Sequence, residues 1–312
     1  MRFSIATTVV ALAATGVNAF APSRGVARGV PSSLAAATLE EKLSESEEDV
    51  LFGTPSKTHR SVKTQTGVIR SLNQPNPLDH SADPLVNKLR SMRETVQACP
   101  LIWRELAQHC PDNTALLDEH LCDTDIDLTF SEVEYKVRKS AQVFKELGVT
   151  KGVNVAILGE NSAMWLLADH GIQLAGGASA VRGADAPLEE LRYIYEHSDS
   201  AGVAVVQDMK LVQKLAKDAQ ARGLGSLGLQ NESHGPVKTV ILMHKGKATN
   251  EDIEAIGTAN NVEIRVLSDL MDSASPAIYN ELPTIAKSDL STIVYTSGTT
   301  GKPKVRTSRH IK

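Results

Sequence analysis

The stretch VNVAILGENSAMWLLADHGIQLAGGASAVR, residues 153 to 182, decides the fold. Val153 to Leu158 is a short apolar run bounded by Gly159, the length of a buried strand. From Ser162 the pattern lengthens into a helix whose end carries Gly176 and Gly177, small enough for close packing. ASAVR follows as a second strand. Strand, helix, strand with a connection this long is a parallel βαβ unit.

Working outward, the same alternation repeats. Upstream, TFSEVEYKVRKSAQVFKELG places Val133, Val137, Phe144 and Leu147 on one helical face, with Ser131 and Glu134 in capping-box spacing and Gly148 as a stop. Downstream come the helix PLEELRYIYEHS opened by Asp185 and Pro187, the strand GVAVVQ, a helix over Met209 to Ala221 and the strand VKTVILMH. A helix over Glu251 to Ile256 and the strands VEIRVLS and STIVYT complete the body. Apolar strands alternating with helices imply an α/β fold with a largely parallel, doubly wound sheet.

The chain has 312 residues, 41% of them hydrophobic, and a formal net charge of -4. That supports a core and offers no basic stripe, so nucleic acid is excluded as a partner. Cys99, Cys110 and Cys122 form no C-x-x-C pair, and with His109 and His120 they match no zinc spacing, so no metal ligand is assigned. The apolar stretch from Ile5 to Val17 follows Arg2 and leads to Val17-Asn18-Ala19, a small-residue cleavage site: residues 1–19 read as a signal peptide. Residues 20–39 hold arginine, serine and alanine with no acid before Glu40, the composition of a transit peptide. The AFAP junction at Phe20 resembles presequences that enter plastids bounded by extra membranes; simple secretion is the alternative. No run reaches the ~20 apolar residues of a bilayer span, so no transmembrane helix is expected, and peripheral membrane contact stays open. EEKLSESEED opens a polar arm over residues 40–100, with one short helix over Pro84 to Ala98.

Two glycine patterns need separating. Gly223, Gly225 and Gly228 spell G-x-G-x-x-G, but they follow a helix where the dinucleotide fingerprint needs a strand, so they read as a surface loop. The sequon Asn231 to Ser233 shares that loop. In STIVYTSGTTGKPK, by contrast, the strand comes first, and every residue from Thr296 to Gly301 carries a hydroxyl or no side chain. A Walker loop is excluded, because only two residues separate Gly298 from Gly301 and Pro303 follows Lys302. Most Ser/Thr/Gly clusters are solvated turns. This one leaves the carboxyl end of a strand, where open α/β sheets bind ligands. Hydroxyls of Thr296, Ser297, Thr299 and Thr300, backbone approach at Gly298 and Gly301, and the Lys304 charge suit a phosphate.

From Ile293 to Lys304 the segment resembles the AMP-binding signature of the adenylate-forming superfamily of acyl-CoA synthetases, luciferases and peptide-synthetase adenylation domains. The resemblance implies that Thr296, Ser297, Gly298, Thr299, Thr300, Gly301 and Lys304 grip the phosphates of ATP, assisted by Mg²⁺, while a carboxylate forms an acyl-adenylate and a thiol then displaces AMP. Glu160 to Asp208 is similar to plastid and cyanobacterial fatty acid to acyl-carrier-protein ligases, with Val181-Arg182-Gly183 where long-chain acyl-CoA synthetases tend to carry proline. It implies long-chain fatty acid as substrate and acyl carrier protein as acceptor, with coenzyme A as the alternative acceptor. Trp165 and Arg182 are expected to serve packing and a local salt bridge. The resemblance spans Leu101 to Lys304, the incomplete N-terminal subdomain of such a synthetase, and 305–312 departs from the family pattern. On that reading the chain is an inactive part of a longer enzyme that lacks the family's catalytic lysine; the rival is a non-catalytic binding protein.

Overall fold

In the first turn of the long upstream helix, the cap lies two residues before the expected one. The computed structural model describes residues 91–92, 96–296 and 303–310, so the expectations for 1–19, 20–39 and most of 40–100 lie outside the described residues. Of the helix expected over Pro84 to Ala98, the described residues 91–92 are helical and 96–98 are not. A 3₁₀ turn at Cys99–Leu101 runs into α1 (Ile102–His109), and β1 (Thr114–Asp118) pairs antiparallel with β2 (Ile126–Thr129). Because β2 keeps Thr129 extended opposite Thr114, Thr129 becomes the N-cap of α2 (Phe130–Glu146). Its hydroxyl accepts from Glu132 N–H at 3.3 Å, and Glu132 Oε2 takes the Thr129 N–H at 2.8 Å. Glu134, the partner expected for Ser131, instead binds Arg138 and the Tyr279 hydroxyl. Gly148 ends the helix as expected, at φ +86°.

The alternation then runs β3 (Asn154–Leu158), α3 (Ala163–Leu174), β4 (Ala178–Arg182), α4 (Leu188–His197), β5 (Ser200–Asp208) and α5 (Met209–Ala221). Asp185 does not cap α4; Pro187 stands at the N-cap without a side-chain bond. A small hairpin of β6 (Gln230–Asn231) and β7 (Gly235–Pro236) precedes β8 (Thr239–His244). Next, α6 (Asn250–Asn260) is longer than expected, since a Thr249–Asp252 capping box starts it and left-handed Asn261 stops it. β9 (Glu263–Val266) is shorter, because Leu267 turns its apolar face into α7 (Leu267–Ser273). β10 (Leu290–Thr296) and β11 (Lys304–Arg309) close the order.

Among the described residues seven strands form one sheet in the order β11-β10-β4-β3-β5-β8-β9, all parallel except β11, which pairs antiparallel with β10. Alternate strand residues feed two apolar layers. Val155, Ile157, Val203, Val205, Ile241 and Met243 pack toward α1, α2, α3 and α7, whereas Ala156, Leu158, Val206, Leu242, Ile293 and Tyr295 pack toward α4, α5 and α6. That is the doubly wound arrangement the sequence implies.

The G-x-G-x-x-G segment is a surface loop only through Gly225. Ser226 to Leu229 are buried, Leu227 at φ +62° and fully enclosed, so the second half plugs the core beneath α5. Asn231 is 8% exposed; its amide donates to the Ser200 carbonyl at 2.5 Å and its oxygen accepts His234 N–H at 2.7 Å, so both ends of the sequon side chain are engaged. Cys99, Cys110 and Cys122 form no disulfide; Cys99 Sγ donates to the His310 carbonyl at 3.2 Å, and burial pushes this thiol up to about 11. Among the described residues no helix is long and apolar enough to cross a membrane.

Candidate functional site

The parallel strands deliver their carboxyl ends to one edge of the sheet, and the motif selected from the sequence begins there, at the end of β10. Thr296 ends β10 and Lys304 opens β11; the two are partners in the antiparallel ladder. Directly opposed residues project from the same face, so the hydroxyl and the ammonium emerge together, both from exposed positions. Ser297, Gly298, Thr299, Thr300 and Gly301 lie outside the described residues. Among the described residues Lys304 has no carboxylate partner, while Arg182, at the end of neighbouring β4, is held by Glu190 at 2.7 Å. Arg182 thus serves the local ion pair, and Trp165 packs half-buried against the core.

Beside the hairpin, β3 and β4 are drawn tightly together. Gly159 N–H donates to the Arg182 carbonyl at 2.9 Å, and Glu160 N–H donates to Gln207 Oε1 at 2.9 Å. Glu160 Oε1 is buried and has no hydrogen-bond partner among the described residues. Gly183 leaves it room: a Cβ there would stand 2.6 Å from that oxygen and 2.9 Å from Asp185 Oδ1.

Farther along the edge, the β1–β2 connection reaches over the sheet. Asp118 Oδ2 accepts Ala163 N–H at 2.8 Å, at the start of α3, and Asp123 accepts the N–H groups of Lys245 and Gly246, each at 2.7 Å. Burial pushes the Asp118 carboxyl up, but the N–H groups of Ala163, His120 and Leu121 outweigh it and hold it below its ordinary value. His244 sits between these carboxylates with Nε2 3.4 Å from Ser162 Oγ. There burial wins over Asp123, Asp118 and Asp208 and lowers the imidazole. These contacts join residues 45 to 123 positions apart, and no local sequence signal announces them. Among the described residues no three His, Cys, Asp or Glu gather as a metal-ligand set.

Chemically, the edge offers an anion one ammonium and one hydroxyl on paired strands. A family model described as AMP-binding enzyme matches residues 103–310. The chain is 30% identical over 210 residues to the chloroplastic long-chain-fatty-acid acyl-carrier-protein ligase AEE15 of Arabidopsis thaliana, covering 67% of this chain and 27% of that protein. It is 26% identical over 227 residues to the probable acyl-activating enzyme 16, chloroplastic, of the same plant, covering 71% and 30%. The chain therefore spans less than a third of the length of these relatives. In solved structures it is similar to the anthranilate CoA ligase AuaEII in complex with anthranoyl-AMP, with a TM-score of 0.51 at 20% identity over 68% of this chain and 35% of that one. At that identity the likeness concerns the fold.

Proposed function

The chain belongs to the AMP-binding enzyme family, and from that premise we propose that it serves ATP-dependent activation of long-chain fatty acids, with acyl carrier protein as the thiol acceptor. The observation that carries the reading is the Thr296–Lys304 pair at the carboxyl edge of a parallel sheet. Fatty-acid carboxylate attacks the α-phosphorus of ATP, giving acyl-adenylate and pyrophosphate; the acceptor thiol then attacks the acyl carbon and releases AMP. Charge that builds on the departing pyrophosphate is what a fixed ammonium and hydroxyl stabilise. Thr296 and Lys304, with Ser297, Thr299 and Thr300 and with backbone approach at Gly298 and Gly301, are the proposed phosphate contacts. When bound with ATP, Mg²⁺ would supply further charge neutralisation on the phosphates.

Similarity to a chloroplastic acyl-carrier-protein ligase supports the choice of acceptor and a plastid location. The test is fatty-acid-dependent exchange of pyrophosphate into ATP by the product of the complete transcript, followed by acyl transfer to acyl carrier protein and to coenzyme A. Absence of exchange with any fatty acid overturns the activity. Transfer to coenzyme A alone overturns the acceptor. A fluorescent fusion of residues 1–39 that stays in the secretory pathway overturns the location.

A further inference from the structure

The parallel ladder that ties β10 to the body stops two residues short of Thr296. Its last pair is Val294 with Val181. Beyond it, Tyr295 pairs with Val305 and Thr296 with Lys304, both on β11, the edge strand of the sheet. A strand end whose ladder runs only to an edge strand has little to keep it from splaying.

Tyr295 supplies a tie of another kind. It is 3% exposed, and its hydroxyl lies 2.9 Å from Nδ1 of His197, the last residue of α4. The two rings meet edge-on at 88° with centroids 5.8 Å apart, and Tyr193 packs against His197 at 5.0 Å. Burial, with Tyr193, pushes the Tyr295 phenol up to about 12. The hydroxyl therefore stays neutral, and it donates to Nδ1 or accepts from it according to the imidazole tautomer. Phenylalanine would fill the same apolar site, so what the hydroxyl adds is position rather than burial. On the opposite face of β10, Gln173 Nε2 lies 3.5 Å from Thr292 Oγ1. Polar contacts from both helical layers therefore hold the strand in register.

We infer that His197 is a positioning residue for phosphate binding: by taking the Tyr295 hydroxyl it fixes where the Thr296–Lys304 pair stands at the sheet edge. The inference rests on the reading of Thr296 and Lys304 as phosphate contacts given above.

The test is calorimetric titration of inorganic tripolyphosphate into the 312-residue chain and into Tyr295→Phe, His197→Ala, His197→Asn and the Tyr295→Phe/His197→Ala pair, with thermal midpoints measured alongside. An asparagine amide offers an acceptor near the position of Nδ1, which makes His197→Asn the conservative variant. Tyr295→Phe and His197→Ala should each weaken binding about tenfold, and the pair no more than either alone. His197→Asn should recover to within about twofold, and Tyr295→Phe should keep its midpoint within about 2 °C. Binding by the wild-type chain that is unchanged in Tyr295→Phe and His197→Ala overturns the inference alone. Weakening that follows the thermal midpoint and is not recovered by His197→Asn also overturns it, since that is the mark of a merely structural contact. No binding by the wild-type chain overturns the phosphate reading itself, and the inference with it.

Discussion

Asp169 and His170, neighbours in α3, are buried with His170 Nε2 3.9 Å from Asp169 Oδ2, while His170 Nδ1 accepts the indole N–H of Trp103 at 2.5 Å. Burial pushes the carboxyl up to about 6 and the imidazole down to about 4. The two shifts have opposite consequences for stability. A raised carboxyl value gives stability that is present at low pH and lost as pH rises through about 6; a lowered imidazole value gives stability that is lost as pH falls from about 6.5 through about 4. Between these limits the native pair holds one proton on Asp169, and the unfolded pair holds one on His170.

The single variants should therefore uncover slopes that the pair conceals. Denaturant unfolding of Asp169→Asn, read as a difference from wild type so that the buried His310 cancels, should show stability rising from pH 4 to 6.5. His170→Gln should show it falling over the same window. Each change should be on the order of 2 kcal/mol. Parallel pH profiles in all three proteins would refute the compensation.

The cap of α2 separates two equally spaced sequence patterns. Thr129→Ala should destabilise by about 1 kcal/mol, because it orphans the Glu132 N–H. Ser131→Ala should change urea stability by less than about half that amount. The reverse order would return the cap to Ser131.

Where α3 crosses α2, Gly171 lies so close to Ser140 that an added Cβ would stand 2.6 Å from the serine Cβ and closer still to its hydroxyl. Gly171→Ala should cost about 1–3 kcal/mol through overpacking. Adding Ser140→Gly should recover part of that loss, even though glycine inside α2 carries its own penalty of about 1 kcal/mol. A double variant no better than Gly171→Ala would mean that the strain is relieved elsewhere.

Periodicity made the parallel core readable, since β3, β5 and β8 are built around runs of buried aliphatic residues and Met209–Ala221 is a strongly amphipathic helix with its ends at Asp208 and Arg222. It failed where pairing rather than burial decides the structure. KVRTSR carries three cations and a single apolar residue and gives no strand pattern, yet β10 templates it along its length. Leu267 continues the hydrophobic run of β9 and was readable as strand, but the residues that follow wind it into α7. At the site, Thr296 and Lys304 were visible as residue types in a motif. Tyr295 was visible only as an apolar strand residue, because its partner His197 lies 98 positions away.

Lys304 carries the sharpest consequence of the proposed chemistry. In the product of the complete transcript, Lys304→Met should lose roughly 2–4 kcal/mol of transition-state stabilisation in adenylate formation, the magnitude typical of one preorganised electrostatic group. Pyrophosphate exchange should fall accordingly, by about 30-fold to 1,000-fold. Transfer of acyl groups from presynthesised acyl-adenylate to the thiol should be spared, because pyrophosphate has already departed before that step. Arg182→Met, which removes the Glu190 ion pair at the adjacent strand end, should leave the ratio of the two rates unchanged. Equal losses in both half-reactions for Lys304→Met would remove the lysine from the phosphate site and assign it a purely structural part in the β10–β11 hairpin.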